Sequence, residues 1–416
     1  MSKSNTNNDS IENDSNYKYN RLKKKLLNYF LNDLSTKQLL GLELEHFVVK
    51  KNSLEMVDFY EENGIEFILK QLIPFYEESH YSGEYLIGLT RPNVIVTLEP
   101  GAQFEVSIGE FGSVKDIDIE YKKFYRELSP ILDNLGYQLV TFGYHPTAKA
   151  QDISLLPKSR YMHMNERFAN LGGMGLQMMR GSSATHVTVD FVDNVDFANK
   201  YRLANLLVPI MAHLTSNTPT FEGKPAPPLV RMDIWDNTDK ERSGFVSNVL
   251  DKEKFCLEDY AEYLLNINPM FYNQNSELIP TDKTTWECYQ DRDITDEDCE
   301  HILSTVFNFV RVKRYIEMRV ADSLPIDRAL NYTTLLKGIF YNQNNIKTLL
   351  EMLKNCDTKS AQDGLIQIKQ YGKNGIVYGK TVQEWTKILY DLAMIGLGDD
   401  EDKEYLLMND NHLYSC

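Results

Sequence analysis

Apolar and polar residues alternate one by one in several short segments of the chain. Glu43 and Glu45 alternate with leucines, and Glu317 and Arg319 alternate with isoleucine and methionine. One-residue alternation predicts β-strands, in which residues i and i+2 point to the same face of a sheet. We therefore expect these charged side chains to share one face, with the apolar ones in the core.

A second pair of predicted strands, 93–99 and 103–108, is separated by Pro100 and Gly101. Such a turn makes the two strands antiparallel neighbours. It would place Glu99 close to Gln103 and Glu105. Further strands are predicted at 137–142 and 184–191, and helices at 19–34, 62–78, 114–135 and 198–214.

The organisation of these elements predicts an α+β fold with a largely antiparallel sheet in one cooperative unit, because neither an internal repeat nor a clean linker is visible. We expect Pro209 to kink or interrupt its helix. Thr381 and Glu384 form a capping-box pattern before a late amphipathic helix. The predicted units are a disordered polar leader at 1–17 and a single catalytic domain at 18–416, with its sheet core at about 41–322 and a helical part at about 325–416.

The composition narrows the classes of partner. The formal net charge is −16, which disfavours binding to nucleic acid and to anionic membranes. Five scattered cysteines without a CxxC pair predict reduced thiols, and the absence of a long apolar run predicts a cytoplasmic protein. The oligomeric state stays open between monomer and homodimer.

Glutamates gathered on one face of a sheet repel one another and are costly to desolvate. They therefore need cations, and oxygen ligands favour hard divalent ions. This predicts Mg²⁺ and a phosphate-bearing substrate. A solvent-facing strand edge is the competing interpretation for Glu43 and Glu45 taken alone.

Ordered sequence blocks then carry a resemblance to a known family. The blocks are GLELE at 41–45, LEPGAQFE at 98–105, KSRY at 158–161, MM at 178–179, FEGK at 221–224, RMDIW at 231–235, TD at 238–239, RSG at 242–244 and YIEMR at 315–319 with AD at 321–322. Together they resemble the plant and proteobacterial type of glutamate–cysteine ligase. The resemblance implies a glutamine-synthetase-like curved sheet that forms an active-site funnel surrounded by helices. It also implies ATP- and Mg²⁺-dependent activation of L-glutamate as γ-glutamyl phosphate, followed by attack of the L-cysteine amine.

Roles for individual residues follow from the resemblance and from side-chain chemistry. The expected ligands of Mg²⁺, or of Mn²⁺ as its substitute, are Glu43, Glu45, Glu99, Glu105 and Glu317. The expected catalytic residues are Arg319, Arg231 and Glu317. The expected ATP-binding cations are Lys158, Arg160, Lys224 and Arg242, and the expected substrate-binding residues are Gln103, Met178, Ser182, His186, Arg231 and Trp235. Met178 and Met179 also fit simple core packing, which we favour for them.

Some positions depart from the family pattern. Ser182, His186 and Thr188 stand where the family usually has Thr, Gln and Asn, and Ala102 replaces a glycine. His186 matters most, because an imidazole differs from an amide in charge and in donor geometry. The alternatives are a γ-glutamyl ligase for another amine, a guanidino kinase and a catalytically silent binding paralogue. The clustered carboxylates disfavour the silent paralogue.

Overall fold

The computed structural model describes residues 5–32, 34, 38–275 and 277–407. Its β-strands follow the chain as β1 Leu40–Lys50, β2 Glu78–Ser82, β3 Tyr85–Arg91, β4 Val94–Leu98, β5 Phe104–Phe111, β6 Tyr137–Val140, β7 Ala184–Val189, β8 Thr220–Phe221, β9 Lys224–Pro225, β10 Ser243–Gly244, β11 Phe271–Gln274, β12 Glu277–Pro280, β13 Phe307–Asn308, β14 Val310–Val312, β15 Ile316–Asp322, β16 Ile376–Val377 and β17 Lys380–Thr381. The α-helices are α1 Asn5–Leu31, α2 Ile65–Leu72, α3 Val114–Leu135, α4 Ser159–Leu171, α5 Asn194–Leu214, α6 Val230–Asp236, α7 Leu257–Asn266, α8 Thr285–Tyr289, α9 Asp296–Leu303, α10 Ile326–Phe340, α11 Gln343–Met352, α12 Thr358–Tyr371, α13 Val382–Leu397 and α14 Lys403–Leu407.

The main sheet has nine strands within the described part of the chain. Their order is β14-β15-β7-β1-β5-β4-β3-β2, and β6 pairs with the far end of β1. Each of these pairings is antiparallel. The prediction of an α+β fold with a largely antiparallel sheet is therefore confirmed.

Three long helices pack against the main sheet. α3 packs on β1, β5 and β6, α5 packs on β14 and β15, and α10 packs on β1 and β7. Apolar side chains from alternate strand positions, such as Leu42, Leu44 and Val187, are fully buried. The opposite face carries the alternating charged residues, and the short helices α4 and α6 lie beside it.

Local sequence signals set the helix boundaries. The Ser113 side chain accepts a hydrogen bond from the Lys115 amide at the start of α3, and Gly136 ends that helix in the left-handed conformation. The capping box of Thr381 and Glu384 opens α13 as predicted. α5 runs through Pro209 without interruption, so of the expected kink or interruption, the interruption does not occur. Tertiary packing compensates there, since nearly the whole second half of α5 is buried.

The region after residue 62 differs from its predicted long helix. α2 covers only Ile65–Leu72, a 3₁₀ turn follows at Ile73–Phe75, and β2 and β3 then extend the sheet. Pro74 lies in that 3₁₀ turn and has no amide proton to continue an α-helix. The helical spacing of apolar residues therefore predicts the observed structure for only about half of this segment.

The polar leader also differs from expectation. α1 begins at Asn5, so the described part of segment 1–17 is helical rather than disordered, and residues 1–4 lie outside the described residues. Leu22, Leu26 and Phe30 anchor this helix in the core. Once a helix is anchored, each added residue contributes one more backbone hydrogen bond.

None of the helices in the described segments is long and apolar enough to cross a bilayer.

Candidate active site

A cavity of about 270 Å³ opens on the charged face of the sheet. Its floor is formed by strands β1, β5, β7, β14 and β15, and its walls are formed by α4, α6 and the 177–182 segment. The lining residues are Glu43, Glu45, Glu99, Pro100, Gln103, Glu105, Arg160, Tyr161, Met164, Met178, Met179, Ser182, His186, Arg231, Trp235, Ser304, Phe307, Arg311, Lys313 and Arg319. Twelve of the sixteen residues predicted for the site are among them.

The register of the sheet brings the charged side chains together. Glu45 lies opposite Glu105 on β5, and Glu43 lies opposite His186 on β7. Further along, Arg311 on β14 lies opposite Glu317 on β15. Directly opposite residues in antiparallel strands have their side chains about 5 Å apart. The alternation seen in separate segments thus becomes one continuous polar surface.

One end of this surface is rich in cations. Arg311 Nε donates to Glu317 Oε2 at 2.6 Å, and Arg319 Nη1 donates to the same oxygen at 3.0 Å. Lys313 Nζ lies 3.5 Å from Glu317 Oε1. Burial alone would raise the pKa of the fully buried Glu317, but Arg311, Lys313 and Arg319 hold it well below its ordinary value. Glu317 is therefore an anion that is already neutralised by protein cations.

The other end gathers carboxylates on which the charges of Lys158, Arg231 and Arg319 act only from beyond ion-pair distance. Among the described residues, no lysine or arginine forms an ion pair with Glu45, Glu99 or Glu105. Glu105 instead accepts hydrogen bonds from Thr97 Oγ1 at 2.7 Å and from Ser107 Oγ at 3.4 Å. Burial and the neighbouring charges of Glu99 and Glu43 raise the pKa of Glu105 to about 8. Burial, followed by the charges of Glu99 and Glu105, likewise raises the pKa of Glu45.

A histidine lies between the two ends. His186 Nδ1 and Glu43 Oε2 are 2.9 Å apart, and burial together with the Arg319 charge lowers the pKa of His186 to about 4. The ring is therefore neutral, and Nδ1–H donates to the carboxylate. One ligand atom from each of Glu43, His186 and Glu317 lies within 4.8 Å of the others, which is close enough to hold a metal ion.

The two indicators of a metal site point to different places. Proximity selects Glu43, His186 and Glu317, whereas uncompensated negative charge selects Glu45, Glu99 and Glu105. The charge argument is stronger for an all-oxygen Mg²⁺ site, because the oxygens of Glu317 are already used by two arginines. The donor set of the cavity thus fits divalent cations, and the carboxylates without protein cations have the greater need of one.

Arg231 on α6 and Arg160 on α4 both line the cavity. Arg231 is 2% exposed and donates from Nη1 to the carbonyl oxygens of Arg319 and Val320. Its guanidinium lies over the Trp235 ring at 5.8 Å, and its Nε has no hydrogen-bond partner among the described residues. A buried guanidinium with spare donors is suited to bind a carboxylate or a phosphate.

Gln103 and Ser182 line the cavity, but their polar atoms are used by the protein backbone. Gln103 Nε2 donates to the Ser182 carbonyl at 2.7 Å, and Gln103 Oε1 accepts from the Gly101 amide at 2.8 Å. Ser182 Oγ donates to the Met178 carbonyl at 2.6 Å. These side chains hold the 99–103 turn against the 177–182 segment, and Met178 and Met179 face the cavity from that segment.

The predicted ATP-binding cations separate into two groups. Arg160 lines the cavity, and Lys158 lies close by, where its Nζ donates to the Leu98 carbonyl at 3.0 Å. Lys224 is exposed on the short hairpin of β8 and β9. Arg242 is fully buried and paired with Asp239 at 2.7 Å. The expectation that Lys224 and Arg242 bind ATP in this cavity does not match the structure. Lys224 lies on the surface, and Arg242 is committed to an internal ion pair.

Sequence reasoning missed the cations Arg311 and Lys313. They alternate across Val312 in the same way as Glu43 and Glu45 alternate across Leu44, so the criterion already in use would have selected them. Position 102, where alanine replaces the family's glycine, has φ of +60°, the left-handed conformation that favours glycine. The glycine that the family usually has at this position therefore has a conformational reason.

Fold and cavity together define an α+β protein whose antiparallel sheet presents carboxylates, guanidinium groups and one imidazole to a single pocket. Residues 39–393 match the model of glutamate-cysteine ligase family 2. The chain belongs to that family.

Curated relatives agree with this membership, and one solved structure shares the fold. The chloroplastic glutamate–cysteine ligases of Brassica juncea and Arabidopsis thaliana are 29% and 30% identical over 75% of this chain, and the match covers 62% and 61% of their lengths. The chain thus spans less than two thirds of these relatives. The glutamate–cysteine ligase of Francisella tularensis, in complex with AMP, shares the fold with a TM-score of 0.53 at 12% identity, over 90% of this chain and 82% of that one.

The same relatives correct one expectation. The sequence predicted a cytoplasmic protein, but the curated relatives are chloroplastic enzymes. The cytoplasmic prediction is therefore contradicted. It had used only the scattered cysteines and the lack of a long apolar run, and neither feature distinguishes the cytosol from another compartment with reduced thiols.

Proposed function

We propose that this protein joins the γ-carboxylate of L-glutamate to the α-amine of L-cysteine in a reaction that consumes ATP and requires Mg²⁺. The observation that carries the proposal is the cavity itself, whose lining combines carboxylates that form no ion pair among the described residues with guanidinium groups such as that of the buried Arg231. Family membership supports the same chemistry. Metal-bound phosphate is the kind of ligand that would satisfy both sets of charges.

The proposed reaction has two steps. A γ-carboxylate oxygen of glutamate attacks the γ-phosphorus of ATP, and ADP leaves. The cysteine amine nitrogen then attacks the acyl carbon of γ-glutamyl phosphate, inorganic phosphate leaves and the amine gives up a proton. Each step moves negative charge onto phosphate oxygens, so fixed positive groups in the cavity favour the transition states.

Different residues of the cavity are suited to different parts of this reaction. Glu45, Glu99 and Glu105 would hold Mg²⁺, which when bound neutralises phosphate oxygens and aligns them for transfer. Arg319 lies beside Glu317 with an unpartnered Nε among the described residues, and it is suited to contact the transferring phosphoryl group. Arg231, backed by Trp235, is suited to bind the carboxylate of an amino-acid substrate.

A product assay tests the proposal. Purified protein is incubated with L-glutamate, ATP, Mg²⁺ and a panel of amines, and the products are measured by mass spectrometry. We expect γ-glutamylcysteine and ADP in equal amounts. Much faster use of another amine would replace cysteine as the acceptor, and formation of AMP and pyrophosphate would overturn the acyl-phosphate route. Formation of ADP and a stable phosphorylated product, with neither free phosphate nor an amide, would instead favour a kinase.

A further inference from the structure

A second cleft opens between α3 and the 3₁₀ turn that follows α2. It has a volume of about 490 Å³ and shares no lining residue with the active-site cavity. Phe75, Pro130 and Ile131 form its apolar wall, and the Phe75 side chain is 46% exposed. Apolar side chains gathered in an open cleft favour the binding of an apolar group, which removes them from water.

Two cations lie beside this apolar wall. Lys123 and Arg126 line the cleft from α3, and both are exposed. Neither side chain forms an ion pair with a carboxylate in the described part of the chain, and Arg126 Nε donates to the Lys122 carbonyl at 3.2 Å. The whole chain has a formal net charge of −16, so unpaired cations beside an apolar cleft are a local exception. They are available to an anionic ligand.

The carboxylate that lines the cleft is already neutralised by an arginine. Both oxygens of Glu127 accept from Arg91 Nη1, at 2.8 and 2.6 Å, and Arg91 Nη2 lies 3.7 Å from Glu120. The Arg91 side chain is buried, and its guanidinium lies 4.8 Å from the centre of the Tyr76 ring. Arg91 belongs to β3, so this ion pair ties α3 to the sheet and holds the wall of the cleft in place. Glu127 is therefore not free to neutralise the two exposed cations.

We propose that this cleft binds a small amphipathic anion, in which an aromatic or acyl body carries a carboxylate or phosphate group. Phe75, Pro130 and Ile131 contact the body of the ligand, and Lys123 and Arg126 contact its anionic group. The volume favours a small molecule, because such sites usually enclose about 300–1,000 Å³. The site is independent of the proposed function, since it uses none of the active-site residues.

Dye binding to the full chain tests the proposal. The probe is 8-anilinonaphthalene-1-sulfonate, an aromatic anion that fluoresces in apolar sites, and N-phenyl-1-naphthylamine is its uncharged counterpart. We expect the uncharged dye to bind about fivefold more weakly, and we expect octanoate or phenyl phosphate to displace the anionic dye. Equal affinities for the two dyes, or no displacement by either small anion, would overturn the proposal. Displacement by an acidic peptide alone would also overturn it and would assign the cleft to a protein partner.

A matched pair of double variants locates the bound dye. Lys123→Gln combined with Arg126→Gln should weaken binding of the anionic dye about tenfold, because two ionic contacts are lost. Lys115→Gln combined with Lys122→Gln removes the same charge from the same helix outside the cleft, and should leave the affinity nearly unchanged. Phe75→Ser should weaken the binding of both dyes. Equal effects of the two double variants would overturn the proposal, because the dye would then respond to net charge alone.

Discussion

The two ends of the cavity use the same side chain, glutamate, in opposite electrostatic settings. At one end Glu317 is fully buried and contacts three protein cations. At the other end Glu45 and Glu105 lie opposite each other on neighbouring strands, and hydroxyl and amide groups are their hydrogen-bond partners among the described residues. The charge of Glu317 is thus neutralised within the protein, whereas the charges of Glu45 and Glu105 are left to be neutralised by a bound ligand.

Because of this difference, the two ends of the cavity affect the stability of the folded protein in different ways. A neutralised buried cluster is costly to disrupt, because the removal of one charge leaves its buried partners uncompensated. A cluster of like charges destabilises the folded state until a cation arrives, and the binding of that cation then stabilises the protein by mass action. Substitutions at the two ends should therefore change stability in opposite directions.

The largest effect is expected at the neutralised end. Glu317→Gln would leave Arg311, Lys313 and Arg319 close together without an anion, and the loss of one partner from a buried ion pair costs about 3–5 kcal/mol. We expect a loss of this size in the free energy of unfolding, measured with denaturant in the presence of a chelator, together with the loss of Mg²⁺-dependent phosphate release.

Glu300→Gln provides the control, because Glu300 is exposed on α9 and should change stability very little. If Glu317→Gln kept most of its activity and its stability, the assignment of Glu317 to the charge cluster would be wrong.

A second prediction concerns the opposite face of β1, where His46 is buried behind the carboxylates. His46 Nδ1–H donates to the Phe104 carbonyl at 3.0 Å and Nε2 accepts from Tyr121 Oη at 3.1 Å. Burial lowers the pKa of His46 from 6.5 to about 4. The neutral ring stabilises the fold fully above pH 6.5, and this contribution is lost as the pH falls towards 4.

The loss amounts to about 3 kcal/mol, from about 2.5 pKa units at 1.36 kcal/mol each. His46→Gln should therefore give a flatter dependence of unfolding free energy on pH between 6.5 and 4 than the unsubstituted protein. Identical slopes in the two proteins would contradict this prediction and would assign the pH dependence to another buried group such as His145, whose pKa burial also lowers to about 4.

The sequence predicted the carboxylates at both ends of the cavity, because strand alternation and the ordered family blocks select the same residues. It could not tell which glutamates have protein partners, since Arg311 is a cross-strand neighbour of Glu317 only through the β14–β15 register. The same limit explains Lys224, which is exposed on a hairpin, and Arg242, whose backbone bonds to the cavity residue Phe307 but whose guanidinium is committed to an internal ion pair. For the fold, antiparallel pairing was predictable from the Pro100–Gly101 turn.

Other features depend on packing that a single sequence does not reveal. The continuity of α5 through Pro209 depends on its neighbours, as does the division of 62–78 between α2 and β2. The roles of Gln103 and Ser182 depend on which backbone groups lie within reach. Residue type indicated polarity at these positions, but only the tertiary structure shows whether the polar atoms remain available to a substrate.

A third prediction concerns the turn at 99–103, which places Glu99 near Glu45 and Glu105 in the cavity. A Cβ added at Gly101 would lie 2.4 Å from the Arg180 carbonyl oxygen, so the turn and the 177–182 segment would have to separate. Gly101→Ala should cost about 1–3 kcal/mol of stability, the usual range for overpacking, and should weaken Mg²⁺ binding measured by calorimetry.

Gly112→Ala is the matched substitution, because a Cβ at that glycine meets no atom within 4 Å. Equal effects of the two alanines on stability and on Mg²⁺ affinity would show that the close packing of this turn does not position Glu99.

The smallest effect should have the opposite sign. Glu105→Gln keeps an oxygen acceptor for Thr97 and removes one of the charges that repel Glu45 and Glu99. In the presence of a chelator at pH 9 we expect the variant to be more stable than the unsubstituted protein by on the order of 1 kcal/mol, because like charges in a partly buried site repel one another appreciably. Saturating Mg²⁺ should reverse this order, since the variant binds the ion less tightly. Glu110→Gln, on the exposed end of the same strand, should show neither effect. A Glu105→Gln protein that is less stable in chelator would mean that an unrecognised partner already compensates this carboxylate, and the contrast with Glu317 would then disappear.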